Sequence, residues 1–196
     1  MSPRSQLCVA FKRVAMVGLL LASAVCASAG TLTGSVSSST STTTISSYGT
    51  LDWRHWGYAS VPGPDRMSGA SVLIPDYTVT GSSTQTTTGA RGISWSGGTP
   101  NGSVTGTKNG VAVAGAGNGF KLSLPADAQA RTVRVFVGGN NSSATFSAHL
   151  SDGSAVDYTN APGLIAGAYA RQYTISYSAN GPGRTLDLTW TMASGS

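Results

Sequence analysis

The sequence predicts an all-β protein: an antiparallel β-sandwich, jelly-roll-like, forming a single domain after an N-terminal signal peptide. Three observations lead there. Apolar residues recur with a period of two through much of the chain, as strands with one buried face require. Clusters of Gly, Pro, Asn and Asp separate these runs at short intervals, the spacing of a sandwich or jelly roll. The composition is rich in Gly, Ser and Thr, has no glutamate, and is only 10% charged, which fits an extracellular β-protein.

Residues 1–29 have the order of an export signal. Arg4, Lys12 and Arg13 precede an apolar run from Val14 to Cys26, and Ala27-Ser28-Ala29 follows. Basic, apolar, then small-x-small is the pattern that signal peptidase reads, and the run is short for a membrane span. Cleavage after Ala29 removes both cysteines, Cys8 and Cys26. Val25 before Cys26 argues against a lipid-anchor cysteine. The expected location is secreted or periplasmic. Of the twelve Lys and Arg, three lie in the leader, which leaves nine against seven Asp. These nine are scattered, so neither a nucleic-acid footprint nor membrane insertion is expected.

Residues 30–48 form a Ser/Thr-rich segment that reads either as a flexible linker or as two short strands, Thr31–Val36 and Thr42–Ser47, with at least one strand expected. Residues 49–196 form the sandwich itself. Ser71–Ile74, Tyr77–Val79 and Arg91–Trp95 read as short strands, and Val61-Pro62-Gly63-Pro64-Asp65 as a loop. Asn109-Gly110 predicts a tight hairpin between Ser103–Lys108 and Val111–Ala114, because that pair tolerates positive φ at both central positions. Clear alternation then marks Phe120–Leu124, Val133–Val137, Ala144–Leu150, Tyr173–Tyr177 and Leu186–Met192. Turns are expected at Gly138-Gly139-Asn140-Asn141, Ser151-Asp152-Gly153 and Asn180-Gly181-Pro182-Gly183. A brief helix is expected over Leu164–Tyr169.

Chemistry-bearing groups are few. Seven Asp and two His, His55 and His149, are the acid/base inventory. No nucleophile elbow, metal-ligand spacing or aspartate-rich calcium loop occurs. The glycines of Gly115-Ala116-Gly117-Asn118-Gly119 run into a strand rather than a helix N-terminus, so they read as a bend and not a phosphate cradle. No catalytic residue, metal ligand or cofactor is expected, although backbone carbonyls could hold a structural calcium. The concentrated feature is Asp52-Trp53-Arg54-His55-Trp56-Gly57-Tyr58. Trp53, Trp56 and Tyr58 could stack on sugar rings, with Asp52 and Arg54 as polar partners. Core packing is the competing reading for each tryptophan, Trp95 included. Asp52 and His55 read better as a buried hydrogen-bonded pair than as a catalytic dyad.

Asp52-Trp53, His55-Trp56-Gly57 and Ser94-Trp95-Ser96-Gly97-Gly98-Thr99-Pro100 resemble patches of a secreted bacterial module. Gly117 to Phe120, Leu124-Pro125-Ala126-Asp127, Arg131-Thr132, Val135 to Gly138, Leu150-Ser151-Asp152-Gly153-Ser154 and Leu186 to Thr191 extend the likeness over Leu32 to Thr191. Such modules are β-sandwiches of the galactose-binding or carbohydrate-binding type, often appended to glycan-degrading enzymes. The resemblance implies a non-catalytic accessory role, with a glycan or cell-envelope component as ligand. It also implies one strand more than the segment after Trp190 supplies, a place that Thr31–Val36 could fill. An edge left open would allow self-association, as in a structural or adhesive cell-envelope subunit. A hydrolase or lyase has least support and would need Asp52, His55, Arg66 and Asp157 in one cleft.

Overall fold

The computed structural model describes residues 29–58, 63–82 and 85–195. The leader up to Ser28 therefore lies outside the described residues, as does part of the proline-rich loop. Thirteen strands follow in chain order: β1 Thr31–Ser38, β2 Thr43–Thr44, β3 Arg54–Trp56, β4 Pro64–Met67, β5 Thr78–Thr80, β6 Gln85–Ser96, β7 Gly98–Thr99, β8 Ser103–Ala112, β9 Gly119–Ala126, β10 Arg131–Leu150, β11 Tyr158–Asn160, β12 Ile165–Ser178 and β13 Arg184–Ser194. One short 3-10 turn, Ile45–Ser47, follows β2.

Seven strands pair in the order β1-β12-β10-β13-β9-β5, with β11 added to β10. All these pairings are antiparallel. The first half of β10 pairs with β12, and the second half, from Ser143, pairs with β13. A register shift between Asn140 and Ser142 separates the halves, and Asn141 adopts a φ of 45°. The Asn141 side chain fixes the bend by accepting the Gly167 N–H at 2.8 Å. A Cβ on Gly138 would stand 2.5 Å from the Tyr169 carbonyl oxygen, so the bend needs a residue without a side chain there. The expected turn at Gly138–Asn141 is thus a bulged bend inside one strand. It carries β10 from one layer of the sandwich into the other.

The core forms where those layers face. Tyr173, Ile175 and Tyr177 of β12 meet Phe146, Ala148 and Leu150 of β10 and Leu186, Leu188 and Trp190 of β13. These are the alternating faces visible in the sequence. Each large aliphatic or aromatic side chain contributes about 1.5–3 kcal/mol by leaving water. The chain is an all-β sandwich of packed antiparallel sheets.

β1 pairs with β12 over all eight of its residues and forms an edge of the sheet. The Ser/Thr-rich start of the chain is therefore part of the sandwich rather than a linker. Where a helix was expected, β12 begins at Ile165 instead. Its alternating partners on β10 outweigh the weak helical signal of Leu164–Tyr169.

Two small sheets, β2-β6-β8 and β3-β4-β7, complete the fold. Among the described residues the one parallel pairing is β2 with β6. β8 runs straight through Asn109-Gly110, because Thr87 and Thr88 of β6 pair with Gly110 and Asn109. The expected hairpin is absent there; positive φ falls instead at Gly106, where the β6–β8 register slips. Ser71–Ile74 is a loop, and Pro64 and Asp65, expected in a loop, begin β4.

Candidate functional site

The aromatic segment around β3 divides by the period of two. Trp53 and His55 turn toward Trp95, at ring-centroid distances of 5.8 and 4.9 Å. Arg54 and Trp56 turn the other way, toward the loop before β5. Trp53 is 4% exposed and Trp95 2%. With Ile45 and Ile93 they form a second, smaller core, against which Tyr58, Met67, Val104 and Phe136 pack. The expectation of Trp53 as a stacking face therefore requires correction: its indole has no open face, since an isolated three-stranded ribbon needs this wedge to bury anything.

The two expected polar partners are structural staples. The Asp52 carboxylate accepts the backbone N–H groups of Leu73 and Ile74 through Oδ2, at 2.9 and 2.8 Å. Arg54 Nη1 donates to Asp76 Oδ1 at 2.8 Å, and Trp56 Nε1 donates to the same oxygen at 3.2 Å. Asp52 and Asp76 thus tie β3 to the segment that leads into β5. Trp56 also meets Tyr77 edge-on at 5.5 Å, Tyr77 meets Phe120 at 5.2 Å, and Phe120 meets Trp190 at 6.1 Å. Trp56 is half-buried at the outer end of this aromatic chain, which reaches into the main core.

The expected Asp52–His55 hydrogen bond is also absent, because Asp52 is taken by the loop backbone. His55 sits across from Asp65 in the β3–β4 register. Burial lowers its pKa; the Asn109 backbone and the Asp65 charge oppose that shift. Asp65, 2% exposed, accepts the Asn101 N–H and side-chain amide at 3.0 and 2.8 Å. Asn101 in turn accepts Trp95 Nε1 at 3.0 Å through its carbonyl. Asp157 is engaged elsewhere: it meets His149 Nδ1 at 2.7 Å on the face of the main sheet. The four residues that a hydrolytic cleft would need are thus split between two sites.

Tyr58 has a different setting. Its ring stands edge-on to Trp95 at 5.4 Å and is partly exposed. Gly57, at a φ of 85°, turns the chain here, and a Cβ on it would lie 2.5 Å from the Gly110 backbone. This close approach seats Tyr58 beside the paired stretch of β6 and β8. Gly57, Tyr58, Thr86, Thr87, Thr88 and Asn109 line a shallow, open depression of about 340 Å³. On the other flank of the aromatic cluster, Thr44, Ser46, Ser47, Ser96 and the edge of Trp53 border a second depression of about 560 Å³. Both walls are rich in hydroxyls, and among the described residues neither is lined by a histidine or carboxylate. No group of three or more His, Cys, Asp or Glu suited to a metal occurs among the described residues.

Thr86–Thr88 and Asp76 are not among the residues expected at the site, and Asn109 was expected only in a hairpin turn. Three consecutive threonines were a usable signal for an exposed strand. Asp76 had none, because its partners, Arg54 and Trp56, lie 22 and 20 residues upstream. No family model, no curated protein and no solved structure matches this chain.

Proposed function

We propose that this chain is an exported, non-catalytic β-sandwich that binds a glycan in the depression beside Tyr58. One observation carries the reading: a partly exposed phenol ring borders an open wall of hydroxyl and amide groups built on two paired strands. A sugar presents apolar C–H faces and equatorial hydroxyls, which suit such a ring and such a wall. The basic, apolar, small-residue order of the first 29 residues supports export.

A Tyr58 site and a tryptophan platform respond differently to substitution. Retention on immobilised polysaccharides, compared for wild type, Tyr58→Ala and Trp56→Ala, tests it. Tyr58→Ala should lose several-fold in retention, while a folded Trp56→Ala keeps it. Equal retention of wild type and Tyr58→Ala, or no retention of wild type on any glycan, overturns the reading.

A structural or adhesive role is the second reading, favoured by β1. Among the described residues this eight-residue edge strand pairs only with β12, and exposed edges recruit further strands. Sedimentation at rising protein concentration tests it; a strict monomer removes it.

A further inference from the structure

Arg91 lies in β6, on the same face as Ile93 and Trp95. It is 9% exposed. Its guanidinium stands 5.4 Å from the centroid of the Phe136 ring, and Nη1 donates to Thr43 Oγ1 at 2.7 Å. Nε and Nη2 are buried and have no hydrogen-bond partner among the described residues.

No carboxylate is left to pair with it. Asp76, Asp187, Asp127 and Asp157 pair with Arg54, Lys121, Arg131 and His149. Asp52 is held by Leu73 and Ile74, Asp65 by Asn101, and Asp152 by Ser154 and Asn180. These seven are all the acidic side chains of the sequence. A buried cation without a counter-ion is costly, and a ring face offsets only part of that cost.

The vacant atoms have a specific geometry. Nε–H and Nη2–H share one edge of the planar guanidinium, the fork that meets the two oxygens of a carboxylate. A second cation stands nearby. Arg134, two residues before Phe136 and on the same face of β10, lies 4.5 Å over the Tyr48 ring. Tyr48 is 46% exposed and is an electrostatic neighbour of Arg91 as well. Ser46 and Ser47 precede it with exposed or half-buried hydroxyls.

We propose that Arg91, Arg134 and Tyr48 form a carboxylate-binding site whose ligand is an acidic sugar of the uronate class. The sugar identity rests on the glycan reading above, whereas the carboxylate chemistry rests on the Arg91 fork alone. Rotation of the exposed Tyr48 side chain opens the fork. Arg91 takes both carboxylate oxygens, Arg134 adds attraction from the surface, and the Tyr48 ring meets the sugar face. An acidic peptide offers the charge without a ring to stack.

Calorimetric titration with oligogalacturonate, a neutral oligosaccharide of equal length, and oligo-aspartate tests the proposal, with wild type, Arg91→Met and Arg134→Gln. Wild type should bind oligogalacturonate at least tenfold tighter than either comparison ligand, and more weakly as salt rises. Arg91→Met should abolish that preference while its Tm holds or rises, because an apolar side chain relieves an uncompensated charge. Arg134→Gln, at an exposed position, should weaken binding several-fold with Tm unchanged. No binding of oligogalacturonate by wild type overturns the proposal. So does a fall in the Tm of Arg91→Met of more than several degrees, which makes the guanidinium structural. Oligo-aspartate binding as tight as the uronate overturns the sugar assignment. Neutral-sugar binding equal to the uronate and unaffected by Arg91→Met removes the acidic site but leaves the Tyr58 reading standing.

Discussion

The rings of Phe146 and Tyr173 lie nearly flat on one another, with centroids 4.0 Å apart and planes 8° from parallel. One belongs to the second half of β10 and the other to β12, so this contact joins the two layers of the sandwich. Both are 1% exposed. The Tyr173 hydroxyl donates to Asn160 Oδ1 at 3.0 Å, which ties β12 to β11.

Removing the stack should therefore unfold the sandwich more readily than removing the hydroxyl. Phe146→Ala should cost about 3–5 kcal/mol. Tyr173→Phe, which leaves Asn160 with one partner fewer, should cost about 1 kcal/mol. Urea unfolding of the two variants checks the order; equal costs contradict it.

Trp53 and Trp56 should separate in the same assay. Trp53→Ala empties the centre of the small core and should cost about 3–5 kcal/mol. Trp56→Ala loses one hydrogen bond and one edge contact at a half-buried position, and should cost about half as much or less. Fluorescence quenching gives an independent check, since acrylamide should reach Trp56 before Trp53.

Stability should fall in two steps as pH drops. Burial, opposed by the Asn109 backbone and the Asp65 charge, lowers the His55 pKa below 6.5 in the folded state. The unfolded chain then takes the proton first, so stability declines from about pH 6.5 down to the lower folded value. Asp127 is lowered by the Arg131 hydrogen bond and then by the Gln129 N–H; Asp152 is lowered first by the Ser154 hydroxyl. Their support is complete above about pH 3.8 and is lost as pH falls through their lower folded values. The urea midpoint of wild type should show both steps, and that of His55→Gln only the second. A wild-type midpoint unchanged between pH 7.5 and 5 contradicts the first.

Gly34 offers a test of the edge strand. A Cβ there would stand 2.5 Å from the Tyr158 ring, which packs over β1. Gly34→Val should cost about 1–3 kcal/mol through overpacking. The same exchange at Gly163, where nothing lies within 4 Å and φ is not positive, should cost far less. Thermal unfolding of both variants checks the difference.

The sequence was most legible where one face of a strand is buried along its whole length. Leu186, Leu188, Trp190 and Met192 alternate because β13 lies inside the sheet with one face on the core, and the same holds for Tyr173, Ile175 and Tyr177. Local turn chemistry was less reliable. Asn109-Gly110 suits a hairpin, yet pairing with Thr87 and Thr88 holds it extended; tertiary pairing overrides a two-residue preference. At the site, the aromatic cluster was visible, but its inward and outward members were not. Trp53, just before β3, and Trp56, its last residue, differ only in which side of the segment they face, and that depends on Trp95, about forty residues away. The staples Asp52 and Asp76 were illegible for the same reason, since a carboxylate's partner is set by the fold and not by its neighbours in sequence.

The most direct measurement is a 1H–15N NMR titration of the protein with a neutral glycan it retains. Shift changes should centre on Gly57, Tyr58, Thr86–Thr88 and Asn109, with the amides of β13 and β12 undisturbed. Changes centred on the outer face of β10 and β13, or a spectrum unchanged at saturating glycan, would contradict a site beside Tyr58.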